Sequence, residues 1–129
     1  MNREHVNNMP QVRTALEVLD HHVQTLGEGL VDEVVSDYAP DAMILTSDGA
    51  VKGRDAIRRF FANSVVNVLP PSSTLIMHHK WVEGELAFII WTAESPFYSF
   101  SFGTDTFIIR DGLIQEQTFA GVMVKKESK

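Results

Sequence analysis

Apolar residues recur every three or four positions over three stretches of the N-terminal half, which is the period of one buried face of an α-helix. This spacing predicts helices at about residues 10–27, 30–38 and 54–68. A glycine or a proline follows each stretch at the point where a helix should stop. We therefore expect three helices in the N-terminal half of the chain.

The remaining apolar segments have the length and composition of β-strands. A short strand pair, residues 42–47 and 50–52, is predicted around the turn Ser47-Asp48-Gly49. Four longer strands are predicted at residues 73–83, 85–95, 97–110 and 113–124. Helices followed by successive antiparallel strands predict an α+β domain, with three N-terminal helices packed on one face of a curved sheet.

One predicted strand carries a carboxyl group in line with core residues. Asp105, Phe107 and Ile109 share a face by the two-residue period of a strand. Because burying a carboxylate is costly, the strand end reaches solvent, or Asp105 has a partner such as Arg110, or its pKa is raised. A carboxyl group that stays protonated could donate a hydrogen bond, and that alternative would make Asp105 functional.

Two adjacent histidines in the first helix have different surroundings. His22 lies on the apolar face between Leu19 and Leu26, whereas His21 projects about 100° away. One interpretation of His22 is a core histidine that bonds a backbone carbonyl or Asp105. The other is a hydrogen-bond donor that faces a pocket.

The strand at residues 85–95 is apolar on both faces, and helices can cover only one of them. We assign Ile90 and Thr92 to the inner face, together with Glu94 if it is not simply a solvated carboxylate near the strand end. Ile89 and Trp91 are then expected on the outer face. A second copy of the chain is the expected cover for that face, which predicts a homodimer.

Composition narrows the range of partners. A chain of 129 residues with 44% hydrophobic content suits a single domain, and a formal net charge of −6 disfavours nucleic acid. The absence of cysteine fits a reducing compartment, so the cytoplasm is the expected location. We find no long apolar run and no signal sequence, and so expect no membrane association.

Motifs for metals and nucleotide cofactors do not emerge from the sequence. The pairs His21-His22 and His78-His79 are adjacent, so their side chains diverge and cannot readily chelate one ion. Gly27-Glu28-Gly29 lies between two helices rather than after a strand, which excludes a dinucleotide-binding loop. The chain is therefore expected to use neither a metal nor a cofactor.

The order of elements, together with several short motifs, resembles the nuclear transport factor 2-like superfamily, which includes ketosteroid isomerase and the SnoaL-like polyketide cyclases. The motifs are YAPDA at 38–42, DG at 48–49, KGRDAIR at 52–58, DTF at 105–107 and RDGLI at 110–114. The resemblance covers residues 10–124 and implies one cone-shaped domain, in which a strongly curved, mainly antiparallel mixed sheet forms an internal pocket. Residues 1–9 would then be a flexible N-terminus and residues 125–129 a charged tail.

The catalytic residues of ketosteroid isomerase correspond to identifiable positions of this chain. The resemblance implies that its protonated oxyanion-hole acid corresponds to Asp105 and its oxyanion-hole tyrosine to His22. Its catalytic base, an aspartate, corresponds to Thr46, which cannot take up a proton at neutral pH. Asp48 and Glu94 are the candidates to replace that base.

The register of the last hairpin decides which residues face the pocket. A three-residue turn with a bulged Gly112 places Gln117 opposite Asp105, and a two-residue turn places Thr118 there. We favour the bulged register, because in the family pattern Gln117 and Asp105 both face the inside of the sheet. The residues then expected to bind substrate are Thr46, Ile90, Thr92, Glu94, Phe107, Gln117 and Phe119.

The resemblance implies a pocket protein of the SnoaL-like type that acts on a small, mostly apolar molecule. The expected activity is that of a cofactor-independent isomerase or cyclase, or a lyase, that moves a proton next to a carbonyl. Asp105 and His22 would stabilise the oxyanion, with Asp48 or Glu94 as the base. The alternative is a non-catalytic ligand-binding or dimeric association module on the same fold. The absence of the isomerase base at Thr46 favours this alternative.

Overall fold

Three helices and six strands form the part of the chain that the structure describes, residues 12–127 of a computed structural model. The helices are α1 (Ala15–Gly27), α2 (Val31–Ser36) and α3 (Gly53–Asn67). The strands are β1 (Tyr38–Thr46), β2 (Gly49–Lys52), β3 (Thr74–Glu83), β4 (Leu86–Glu94), β5 (Tyr98–Arg110) and β6 (Leu113–Lys125). The flexible segment expected at residues 1–9 and the last two residues of the expected tail lie outside the described range.

The six strands form one mixed sheet in the order β2-β1-β6-β5-β4-β3. Strands β1 and β6 run parallel, and every other neighbouring pair is antiparallel. The helices pack on one face of this open sheet, and the core between them includes Leu19, Ile57 and Phe107. The predicted fold class is therefore confirmed. Between residues 12 and 127, no helix is both long enough and apolar enough to cross a membrane.

Helix α1 begins at Ala15 because Thr14 and Glu17 form a capping box. The Thr14 hydroxyl accepts a hydrogen bond from the Glu17 backbone, and the Glu17 carboxylate accepts one from the Thr14 backbone. The predicted helix began near residue 10, with Val12 on its buried face. Val12 instead precedes the helix and is 68% exposed, so that part of the prediction is wrong.

Helix α2 is shorter than predicted and ends at Ser36. Tyr38, predicted to be the last residue of this helix, instead begins β1 and is fully buried. Pro40 disfavours a helical conformation at Ala39, and Tyr38 pairs with Ile114 of β6, which places it in the sheet.

The two faces of β4 are the reverse of the prediction. Ile89 and Trp91 are buried against the helices, whereas Ile90 and Thr92 lie on the outer face. Pairing with β5 fixes this orientation, since Ile89 lies opposite the inward-facing Asp105. The sequence could not distinguish the faces because both are apolar.

In the β5–β6 hairpin Gln117 and Asp105 lie on the same face, as predicted, but the turn differs from the predicted one. Asp111 and Gly112 both have positive φ and connect the paired residues Arg110 and Leu113, which is a two-residue type I′ turn. The bulge lies in β6 at Gln115 instead of at Gly112.

This bulge restores the parity that a plain two-residue turn would have reversed. Gln117 lies opposite Phe107, and Phe119 lies opposite Asp105. All four side chains therefore belong to the inner face of the sheet. The expected pairing of Gln117 with Asp105 is displaced by two residues, so their side chains meet diagonally.

Candidate active site

A cavity of about 140 Å³ lies between the helices and the inner face of the sheet. Most of its lining is apolar and comes from α1, α3, the segment before β3 and the four strands β3 to β6. Gly27 and Leu75 contribute to the lining and are exposed, so they mark its rim. Asp105, Gln117 and His22 are the buried polar side chains in the lining.

Asp105 is buried, and both of its carboxylate oxygens accept hydrogen bonds. The Trp91 indole Nε1 donates to Oδ1 at 2.7 Å, and the Gln117 Nε2 donates to Oδ2 at 2.8 Å. Burial raises the pKa of Asp105 from 3.8 to about 6, although the two hydrogen bonds act in the opposite direction. This carboxyl group therefore titrates close to neutral pH.

Tyr38 fixes the orientation of the Gln117 amide. Its hydroxyl donates a hydrogen bond to the Gln117 carbonyl oxygen, which leaves the amide nitrogen to donate to Asp105. Burial raises the pKa of Tyr38 well above its ordinary value, so the phenol stays protonated and remains a donor. The result is a chain of hydrogen bonds from β1 through β6 to Asp105 on β5.

His22 is enclosed by aromatic rings and lies on the cavity wall. The edges of Tyr38, Phe61 and Phe107 meet its imidazole at centroid distances of 5.5 to 5.8 Å. Its buried Nδ1 has no hydrogen-bond partner within residues 12–127. Burial lowers the pKa of His22 to about 4, so the imidazole is neutral and has one donor and one acceptor nitrogen.

Trp91 and Phe119 form an aromatic wall beside Asp105. Their rings are stacked, with centroids 6.1 Å apart and planes 10° apart. Trp91 lies opposite Gly103 on β5, where a methyl group would come within 2.5 Å of the indole ring. The wall therefore depends on the glycine.

Asp48 and Thr46, the candidates from the first strand pair, lie outside the cavity lining. Asp48 is exposed in the β1–β2 turn, and its backbone N–H donates to the Thr46 hydroxyl at 3.1 Å. That hydroxyl donates in turn to the Gly49 carbonyl at 3.1 Å. Turn formation accounts for both residues, and the expectation that Asp48 shares a pocket with Asp105 is wrong.

The three candidates from β4 also lie away from the cavity. Ile90 and Thr92 are on the outer face, where the Thr92 hydroxyl hydrogen-bonds His78. Glu94 is exposed and contacts Ser99 and Lys126, whose hydrogen bonds lower its pKa. Assigning these residues to the inner face is a consequence of the reversed β4 prediction.

Three residues predicted to bind substrate do lie at the site. Gln117 and Phe119 line the cavity, and Phe107 lies beneath it in contact with His22. Trp91 and Tyr38 contribute to the same network, but the sequence offered no signal for them, because their contacts depend on strand register. In the described residues, no cluster of His, Asp and Glu is suited to a metal ion.

Comparisons with known proteins identify the family and the fold of the chain. The sequence model of the SnoaL-like domain family matches residues 19–117. No curated protein sequence matches the chain significantly.

Three solved structures illustrate the similarity. A candidate ketosteroid isomerase from Kribbella flavida is 15% identical, with a TM-score of 0.71, over 89% of this chain and 82% of that one. SalBIII, an epoxide hydrolase/cyclase-like enzyme of pyran ring formation in salinomycin, is 19% identical, with a TM-score of 0.71, over 95% of both chains. An LEH-like epoxide hydrolase from M. tuberculosis is 14% identical, with a TM-score of 0.70, over 88% of this chain and 86% of that one.

At these identities the solved structures show a shared fold and nothing about a shared reaction. The family match covers most of the chain and includes His22, Asp105 and Gln117. The chain therefore belongs to the SnoaL-like domain family.

Proposed function

We propose that this protein is a cofactor-independent enzyme that transfers a proton next to a carbonyl group, with Asp105 as the general base. The observation that carries the proposal is that Asp105 is the only carboxylate in the cavity lining among residues 12–127, and both its oxygens accept N–H bonds. Cyclase-like and isomerase-like proteins on the same fold support an enzyme of this type.

The hydrogen bonds of Asp105 favour a base over the oxyanion-hole acid that the sequence suggested. Donors to both oxygens stabilise the ionised form, whereas a protonated carboxyl group has one oxygen that accepts poorly. With a pKa of about 6, Asp105 is mostly ionised at neutral pH and yet more basic than an ordinary aspartate. That combination suits a general base.

His22 supplies the complementary group in this proposal. A neutral imidazole can donate one hydrogen bond, and a donor that points at a carbonyl oxygen stabilises the negative charge that develops when a neighbouring proton leaves. The position of His22 in the cavity lining supports this role, because a polar side chain on the wall can contact a bound ligand.

The cavity limits the size and charge of the substrate. Its volume of about 140 Å³ is comparable to an apolar cavity of about 150 Å³ that holds benzene. No lysine or arginine lines it in the described part of the chain. We therefore propose a small, neutral and mostly apolar carbonyl compound.

The test is a screen of small unsaturated ketones and enones for isomerisation or cyclisation. Asp105→Asn keeps the size of the side chain but cannot take up a proton, so the rate should fall by about 10²- to 10⁴-fold. Asp48→Asn is the matched control, because Asp48 is an exposed carboxylate outside the cavity, and its rate should equal that of the wild type.

The pH dependence should identify the base. Because Asp105 must be ionised to accept a proton, kcat/KM should rise with pH and level off above about pH 6. A profile that falls as Asp105 ionises would contradict the assignment of Asp105 as the base and favour the oxyanion-hole acid.

The second candidate function is a non-catalytic small-ligand-binding module. It is favoured by the fact that the described cavity contains one carboxylate and one neutral imidazole but no second ionised group to support catalysis. A ligand that binds tightly and is released unchanged by the wild type and every variant would establish the binding module and exclude the enzyme.

A further inference from the structure

We propose that Gly103 is a positioning residue of this site: the absence of a side chain there lets the Trp91 indole cross β5 and fix the Asp105 carboxylate. This inference rests on the proposed function for its catalytic meaning. The geometry behind it does not depend on any reaction.

The space above Gly103 is occupied by the Trp91 ring. Gly103 is directly opposite Trp91 in the β4–β5 ladder. A Cβ atom at Gly103 would lie 2.5 Å from Cε2 and Cζ2 of the indole and 2.7 Å from Cδ2. Contacts this short do not occur in folded proteins. Gly103 does not have a positive φ, so the requirement for glycine is one of space.

The indole is held by aromatic rings on two sides and can move only toward the cavity that it lines. Phe100 packs against it at a centroid distance of 5.3 Å, and Phe119 stacks on it at 6.1 Å. Trp91 is only 6% exposed. A methyl group at position 103 would therefore displace the ring, and its Nε1 would lose the 2.7 Å hydrogen bond to Asp105.

Loss of this bond would change Asp105 in a measurable way. The Trp91 N–H is the larger of the two hydrogen-bond contributions that oppose the effect of burial on the pKa of Asp105. Without it, Oδ1 keeps no protein donor within the described residues, and the carboxylate is anchored by Gln117 alone. The proton affinity of Asp105 should rise and its orientation should become less defined.

The experiment uses the Trp81→Phe protein, in which Trp91 is the one remaining tryptophan. Trp81 is 58% exposed, so its replacement leaves the cavity intact. Titration of the Asp105 side-chain carboxyl carbon by NMR gives the midpoint, and the indole N–H resonance reports the hydrogen bond.

Gly103→Ala and Trp91→Phe should both raise the Asp105 midpoint by about one pH unit, because each removes a hydrogen bond to a charged group. In Gly103→Ala, the indole resonance should no longer change as Asp105 ionises. Thr104→Ala, next to Gly103 but on the outer face, is the control and should leave the midpoint unchanged. An unchanged midpoint in folded Gly103→Ala would overturn the proposal.

A second variant covers the case in which Gly103→Ala does not fold. Trp91→Leu in the same chain removes the ring that the new methyl group would meet, so Gly103→Ala/Trp91→Leu should fold. If the double variant is as defective as Gly103→Ala, Gly103 is required for another reason and the proposal is wrong. None of these measurements needs a substrate, so a protein without enzyme activity would still test the inference.

Discussion

Asp105 and His22 show how burial in one cavity acts on two ionisable side chains with opposite charges. Burial raises the pKa of Asp105 to about 6 and lowers that of His22 to about 4, because it disfavours the charged form of each. Between these values both groups are neutral, and above them only Asp105 is charged. Such separation of two neighbouring groups is a common basis for acid and base roles.

His22→Phe should make the protein more stable. Phenylalanine keeps the edge contacts with Tyr38, Phe61 and Phe107 and removes a buried nitrogen that has no partner in the described part of the chain. We expect a gain of about 1–3 kcal/mol in the free energy of unfolding at pH 7. Chemical denaturation measures this difference.

The stability that His22→Phe gains over the wild type should increase as the pH is lowered. As pH falls below 6.5, the unfolded state protonates His22 first, because its folded pKa is only about 4. Wild-type stability is therefore lost relative to the variant, by roughly a further 2 kcal/mol at pH 5. Asp105 is present in both proteins and cancels. His79→Phe, on the outer face, is the control, and a gap between His22→Phe and wild type that is independent of pH would contradict the argument.

At the scale of the elements, the segment before α1 is fastened to the last hairpin by Arg13. Its guanidinium donates to the Asp37 carboxylate at 2.8 Å and to the Gly112 carbonyl at 2.9 Å. Asp37 is fully buried at the end of α2, and His21 also bonds its carboxylate. Arg13 therefore connects the helices to the β5–β6 turn.

Arg13→Ala should destabilise the fold by about 2 kcal/mol or more, because it takes the cation away from a buried carboxylate. Arg58→Ala is the matched control. Arg58 pairs with the exposed Asp32, and such surface pairs contribute about 0–1 kcal/mol. Thermal or urea unfolding compares the two variants, and equal losses would mean that Arg13 is no more than a surface residue.

Some element boundaries could be predicted from the sequence because their signals are local, whereas the start of α1 and the end of α2 were misplaced. The Asp111-Gly112 turn and the Pro70-Pro71 stop act within a few residues. The orientation of β4 could not be predicted, because its two faces are equally apolar and pairing with β5 decides between them.

The site was only partly predictable, because some of its residues carry a local signal and others depend on strand pairing. Asp105 and His22 stand out as polar residues on apolar faces, so the sequence alone singled out both as candidates, and both line the cavity. The Trp91 and Tyr38 contacts depend on cross-strand pairing and on a bulge at Gln115, which no short motif specifies. Asp48 was misassigned because a turn residue and a base share the same residue type.

At the scale of the whole molecule, the outer face of the sheet remains apolar and exposed. Trp81, Ile76, Phe102 and Val122 are 46 to 58% exposed on strands β3, β5 and β6. Patches of this kind mark association surfaces. We propose a homodimer through this face, with the interface on the side opposite to Ile89 and Trp91.

Phe102→Asp should convert the dimer to a monomer, because it places a charge in the centre of an apolar interface. Sedimentation at micromolar concentration measures the change. Ala62→Asp, which adds the same single negative charge on the exposed side of α3, should leave the dimer intact. A wild-type protein that sediments as a monomer would refute the proposed interface.

The contact between Trp91 and Gly103 has an evolutionary consequence. A relative that keeps the indole at position 91 has no room for any side chain at position 103, and one that acquires a side chain there must first give up the tryptophan. The two positions should therefore change together across the family, although they are separated by a strand and a turn. Lineages that lost the pair would have had to find another donor for the carboxyl group or another chemistry.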